Sequence, residues 1–142
     1  MDGRSIAVEH GDSRLVAIGT LLIGTTSMFS NRSHDAEVTL KAAYTASLAE
    51  GDRRNAAFAA VSLSPVFWAR RELAEAARWT RDGLTLAQAV SEWRCVGLGL
   101  TNMTYLAEFS GLHATAARFY GAMRGDFESF YRANASRRTA LR

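Results

Sequence analysis

The chain of 142 residues contains one proline, Pro65, and one cysteine, Cys95. A single cysteine excludes an intrachain disulfide and fits a reducing compartment. No apolar run approaches the roughly 18 residues that a transmembrane helix needs. Residues 1–10 lack the apolar core of a signal peptide. We therefore expect a cytoplasmic protein without a membrane segment.

Patterns that support catalysis or metal binding are also missing. The three histidines lie in different parts of the chain, and no His-x-x-x-His or cysteine-rich spacing occurs. Neither a Gly-x-Ser-x-Gly elbow nor a Gly-x-x-x-x-Gly-Lys-Ser/Thr phosphate loop is present. The sequence therefore predicts no catalytic residue, no metal and no cofactor, and hence a protein that is not an enzyme.

An excess of charge of one sign occurs only at the C-terminal end, where it is positive. The net charge is +3, and residues 118–142 hold six arginines against two acidic residues. The rest of the chain holds 11 basic residues (17 − 6) against 12 acidic ones (14 − 2). A nucleic-acid site needs a broader basic face than this tail provides. We expect a protein or peptide partner and no direct binding of nucleic acid.

What the sequence does contain is a repeat of 40 residues. The pairs Gly11-Asp12, Gly51-Asp52 and Ser91-Glu92 open successive units, and an arginine follows each pair at the same place: Arg14, Arg54 and Arg94. A fixed period in this range is typical of a helical solenoid, in which each unit packs only against its neighbours. We interpret the chain as a single domain, 1–142, with repeats at 11–50, 51–90 and 91–130, the tail of a preceding helix at 1–10 and a C-terminal tail at 131–142.

Each unit divides into two helical stretches with apolar residues at helical spacing. We predict first helices at 13–29, 53–69 and 93–109, and second helices at 34–49, 72–90 and 112–133. Gly51 and Gly111 suit the left-handed residue that ends many helices, and Asp52 should cap the helix that follows it. No segment alternates with period two as a strand does. The predicted fold class is all-α.

Two segments resemble known helical repeats. The run Gly111-Leu112-His113-Ala114-Thr115-Ala116-Ala117-Arg118-Phe119-Tyr120 is similar to the tetratricopeptide repeat, with Ala116 as its small residue and Tyr120 as its aromatic. The period is longer than that family's, and its first-helix tryptophan and helix-ending proline are missing. The resemblance implies a right-handed solenoid of helical hairpins with about three repeats, six main helices and a partial N-terminal helix.

The longer unit is similar to the C-terminal repeats of actinobacterial LuxR-type regulators and their predicted-ATPase relatives. Leu48-Ala49-Glu50-Gly51-Asp52-Arg53-Arg54-Asn55-Ala56-Ala57 and Ala116-Ala117-Arg118-Phe119-Tyr120-Gly121-Ala122 carry this likeness. It implies the sensing or assembly part of a bacterial transcriptional or signalling regulator.

In tetratricopeptide-like solenoids the first helices line a concave groove. Mapping by repeat position places six residues on a partner-binding groove: Met28, Phe58, Pro65, Trp68, Tyr105 and Glu108. Trp68 and Tyr105 would act as anchors for an apolar helix or extended peptide, and Glu108 as a polar selector. Phe109 maps to the same face, although packing between helices is its simpler role. Pro65 cannot donate to the carbonyl of Val61, so we expect a kink or local unwinding there.

The function predicted from these observations is a non-enzymatic interaction or sensing module that binds a peptide or partner helix in the groove. Two alternatives stay open. The first is a self-association module that forms a homodimer, because a chain that begins inside a helix leaves the first unit without a polar cap. The second is a domain that binds a small-molecule effector near Pro65 and Trp68.

Overall fold

The computed structural model describes residues 33–125, together with Asp12, Thr20 and Gly24. This part of the chain is helical and contains no strand. The helices are α1 (Ser33–Ala49), α2 (Arg53–Ala69), α3 (Leu73–Ala89), α4 (Trp93–Phe109) and α5 (113–125). None of the helices in the described ranges is long and apolar enough to cross a bilayer.

The all-α prediction is confirmed for the described residues, and so are several helix limits. The helices predicted at 53–69 and 93–109 have those limits in the structure, and α1 and α3 begin or end within one residue of the predicted 34–49 and 72–90. The helix predicted at 13–29 lies outside the described residues, except that Thr20 and Gly24 are helical. The last part of the helix predicted at 112–133 also lies outside them.

The four turns between these helices share one geometry. After α1, the Gly51 N–H donates to the Leu48 carbonyl at 3.0 Å and the Asp52 N–H donates to the Ser47 carbonyl at 2.8 Å. This pair of bonds is the Schellman motif, which needs a left-handed residue just past the helix end. The left-handed residues stand 20 positions apart: Gly51 (φ 69°), Arg71 (φ 64°), Ser91 (φ 53°) and Gly111 (φ 72°). The first three turns each join helices that then pack together, so α1 to α4 alternate in direction.

Helix α2 lies at the centre of this packing. Each helix from α1 to α4 contacts the next one in sequence, and α2 also contacts α4. The larger cluster of buried core side chains accordingly draws on α1 to α4: Ala36, Leu40, Ala43, Ala59, Ala60, Leu63, Val66, Phe67, Ala76, Trp79 and Leu106. Five of these eleven residues are alanine, which lets the helix backbones approach closely. A Cβ on Gly83 of α3 would lie only 2.9 Å from the backbone nitrogen of Val61, so this crossing of α2 and α3 fits glycine alone.

Pro65 does not interrupt α2, because another helix replaces the hydrogen bond that proline cannot make. Every residue of Arg53–Ala69 is helical, so of the predicted kink or local unwinding the unwinding is wrong, and the kink stays a prediction. The Val61 carbonyl, which Pro65 leaves without its usual donor, accepts a hydrogen bond of 2.8 Å from the Asn102 carboxamide of α4. Asn102 is buried at this contact. A long-range side-chain bond thus completes the backbone bonding of α2.

Candidate functional site

Three aromatic rings meet where α2 and α4 end. Trp68 stacks on Tyr105 with ring centroids 5.5 Å apart and planes inclined by 27°, and the Phe109 ring lies 5.6 Å from Trp68 at 40°. Tyr105 and Phe109 share one face of α4 because they are four residues apart. Since α2 and α4 both run antiparallel to α3, their C-terminal ends lie on the same side of the fold. We call Trp68, Tyr105 and Phe109 the aromatic cluster.

The aromatic cluster is partly open to solvent. Tyr105 is 48% exposed and Phe109 is 37% exposed, whereas Trp68 is half-buried. The Trp68 Nε1 atom is buried and has no hydrogen-bond partner among the described residues. Because a buried donor without an acceptor is unfavourable, Trp68 is held in place by ring stacking rather than by a polar contact. In the aromatic cluster, the Trp68 ring is thus held by its neighbours, and the Tyr105 and Phe109 rings beside it are accessible to solvent.

Charged side chains border the aromatic cluster. The Arg71 guanidinium lies over the Phe109 ring, 4.6 Å from its centroid, which is a favourable cation–π distance. Glu108 is exposed, and its Oε2 lies 3.0 Å from Nδ1 of His113 at the start of α5. The rings are thus bordered by a guanidinium and by a solvent-facing carboxylate, and each of these groups can pair with a polar group of a partner.

The structure brings some of the predicted groove residues together and separates others. Trp68 and Tyr105 are in direct contact, and Pro65 lies half-buried about one turn before Trp68 on α2. Phe58 lies ten residues before Trp68, or about 15 Å along the helix. Its ring packs between helices and lines a different cleft. Met28 lies outside the described residues.

Two contacts were not predicted from the sequence: that of Phe109 with Trp68 and that of Arg71 with Phe109. Phe109 maps to the groove face, yet its contact with Trp68 depends on how far α4 is shifted along α2, which repeat position alone does not give. Arg71 occupies a turn, where its repeat position carries no sign of an aromatic neighbour.

A second cleft lies at the opposite ends of the same two helices. It has a volume of about 150 Å³ and is lined by Arg54, Asn55, Phe58, Glu92, Arg94 and Cys95. Burial, together with the negative charge of Glu92, raises the pKa of the Cys95 thiol to about 11. The thiol is therefore protonated near neutral pH and is a poor nucleophile. Within the described part of the chain, no three His, Cys, Asp or Glu side chains are grouped so that they could hold a metal ion.

Compared with protein-family models, curated proteins and solved structures, the chain has no match. The resemblance to tetratricopeptide-like repeats therefore stays a prediction from the sequence.

Proposed function

We propose that this chain is a non-enzymatic interaction module whose aromatic cluster binds a peptide or a partner helix. The observation that carries the proposal is the stack of Trp68 with Tyr105 and Phe109, which leaves two large rings open to solvent on a rigid scaffold. Aromatic anchors of this kind dominate the energetics of protein interfaces, because they bury much apolar area and have few rotatable bonds to order.

The charged border supports a partner that is not purely apolar. Glu108 can pair with a lysine or arginine of the bound segment, and Arg71 can pair with a carboxylate while it remains over Phe109. Charged groups at the rim of an interface set orientation and selectivity more than affinity. The partner that fits is an amphipathic segment with apolar side chains for the rings and charged side chains of both signs beside them.

The proposal includes an architecture and a setting. We infer that the helices form a right-handed solenoid of tetratricopeptide-like hairpins, with α2 and α4 lining its concave face. The equal spacing of four like turns and the direct contact between α2 and α4 support this arrangement. A cytoplasmic role in a bacterial transcriptional or signalling regulator rests on the sequence resemblance of Leu48–Ala57 and Ala116–Ala122.

The test is a search for binders followed by matched substitutions. An array of amphipathic 15-residue peptides is probed with the full chain, and the dissociation constants of the binders are measured by fluorescence anisotropy. Tyr105→Ala and Trp68→Ala should each weaken binding at least tenfold, or about 1.4 kcal/mol. Far-UV circular dichroism should stay unchanged.

The control is Tyr120→Ala, which removes a similarly exposed aromatic ring of α5 that is not part of the aromatic cluster. It should leave binding unchanged. Wild-type affinity in Tyr105→Ala, or an equal loss in Tyr120→Ala, would reject the assignment of the cluster as the binding site. A homodimer in light scattering that Tyr105→Ala dissociates would instead assign the cluster to self-association.

A further inference from the structure

The arginines that recur at one position of the repeat are not used by the aromatic cluster. Arg54 and Arg94, from the first turns of α2 and α4, both reach the same carboxylate. Arg54 Nε lies 3.1 Å from Oε2 of Glu92, and Arg94 Nε lies 3.7 Å from Oε1. The packing of α2 beside α4 therefore brings two equivalent repeat positions to one site.

Glu92 is committed to these arginines rather than to its own helix. It occupies the capping position of α4 but makes no capping hydrogen bond, and its side chain is only 9% exposed. Asp52, at the equivalent position of α2, instead accepts a bond of 3.1 Å from the Asn55 N–H. A buried carboxylate needs partners of opposite charge. Glu92 therefore positions both guanidinium groups through their Nε atoms.

The outer nitrogens of both guanidinium groups are left available. Each arginine contacts Glu92 through Nε, and within the described residues no hydrogen bond involves the outer nitrogens of Arg54 or Arg94. The two side chains are 66% and 70% exposed, and both line the cleft of about 150 Å³. Two positive charges against one negative charge leave this group with a net charge of +1. Four outer nitrogens without a hydrogen bond and a positive charge favour an incoming anion.

We propose that Arg54 and Arg94 form a binding site for a phosphate group, with Glu92 as the positioning residue. A tetrahedral oxyanion that carries two negative charges can accept from two guanidinium groups at once, and it balances more of their positive charge than a singly charged carboxylate does. The site lies about 21 Å along α2 from Trp68, since 14 residues separate Arg54 from the aromatic cluster. It is therefore independent of the proposed function, and either can fail without the other.

The experiment titrates inorganic phosphate into the full chain at constant ionic strength and follows backbone amide shifts by NMR. Saturable shifts should appear around the cleft, and Arg54→Gln and Arg94→Gln should each weaken binding at least tenfold. The matched control is Arg81→Gln, which removes the same charge from an exposed arginine of α3 outside the cleft. It should bind as the wild type does. Shifts that do not saturate, or an equal loss in Arg81→Gln, would overturn the proposal.

Two further variants separate geometry from charge. Glu92→Gln makes the site more positive, so simple attraction would tighten phosphate binding, whereas loss of positioning should weaken it. Tighter binding would overturn the role assigned to Glu92. Arg54→Lys keeps the positive charge but removes the planar guanidinium group, and it serves as the test if Arg54→Gln does not fold. Unchanged affinity for phosphate in Arg54→Lys would contradict binding by two guanidinium groups. A phosphoserine peptide that binds tenfold tighter than inorganic phosphate would assign the site to phosphorylated proteins. If the peptide and inorganic phosphate bind equally tightly, the site is assigned to free phosphate.

Discussion

At the scale of single residues, one side chain completes the backbone of another helix. Pro65 removes the donor that the Val61 carbonyl would use, and Asn102 supplies a replacement from α4 at 2.8 Å. A buried carbonyl left without a donor costs about 1–3 kcal/mol. Asn102 therefore stabilises the fold chiefly because Pro65 is present.

This dependence predicts a strong coupling between the two positions. Asn102→Ala should lower the free energy of unfolding by about 1–3 kcal/mol. In a Pro65→Ala background the new N–H at position 65 bonds the Val61 carbonyl, so the same substitution should cost clearly less. Urea denaturation of the four variants in a double-mutant cycle gives the coupling energy directly. Equal losses in the two backgrounds would contradict the pairing of Asn102 with the carbonyl that Pro65 leaves open.

At the scale of helices and turns, the four turns share one backbone geometry although different residue types adopt it. Gly51 and Gly111 provide the left-handed residue in two turns, but Arg71 and Ser91 adopt the same conformation in the other two. A left-handed backbone costs a residue with a Cβ about 1–2 kcal/mol, whereas glycine adopts it freely. The two turns without glycine are therefore strained.

Ser91→Gly should relieve this strain and raise the free energy of unfolding by about 0.5–1 kcal/mol, because the added freedom of glycine in the unfolded chain offsets part of the gain. Ser91 is the better choice because Arg71 contacts Phe109. Ser110→Gly is the matched control: Ser110 has a φ of −92°, so glycine there should not stabilise the fold. Urea unfolding curves compare the two variants, and equal effects would show that backbone conformation is not the cause.

The helices could be predicted where their signals are local, and the contacts between them could not. The limits of α2 and α4 follow from the turn residues just outside them, such as the pair Gly51-Asp52. The hydrogen bond that completes α2 at Pro65 comes from Asn102, a distant residue on another helix, so no local pattern in the sequence indicates it. Glu92 likewise occupies a capping position, and none of the residues next to it in sequence indicates that its carboxylate pairs with Arg54 instead.

The candidate site was predictable to the same extent. Helical and repeat spacing placed Trp68 and Tyr105 on one face, and the structure stacks them. The sequence already placed Phe58 early in α2, but repeat position could not show that its ring packs between helices and lines the other cleft instead of joining the aromatic cluster.

At the scale of the whole molecule, stability is concentrated in α2. This helix contacts α1, α3 and α4, and ten of its 17 residues are buried. A defect in α2 therefore weakens three interfaces at once, whereas a defect on an outer face weakens none of them.

Leu63→Ala and Leu98→Ala make the same chemical change in these two settings. Leu63 of α2 is fully buried, so its truncation should lower the free energy of unfolding by about 2–5 kcal/mol. Leu98 of α4 is 41% exposed, and its truncation should change the free energy by less than about 0.5 kcal/mol. Thermal and urea unfolding of both variants provide the comparison. Similar losses would mean that α2 is not the centre of the packing.

The hydrogen bond between Asn102 and Val61 also bears on how α4 is aligned along α2. Apolar contact is not directional, so by itself it distinguishes poorly between neighbouring translations of α4 along α2. Only one translation places the Asn102 carboxamide against the single carbonyl that Pro65 leaves open. Every other one would leave both groups buried and unpaired. The one proline of the described helices thus selects a unique alignment among many similar ones, and that alignment brings Trp68 to Tyr105 and Arg54 to Glu92.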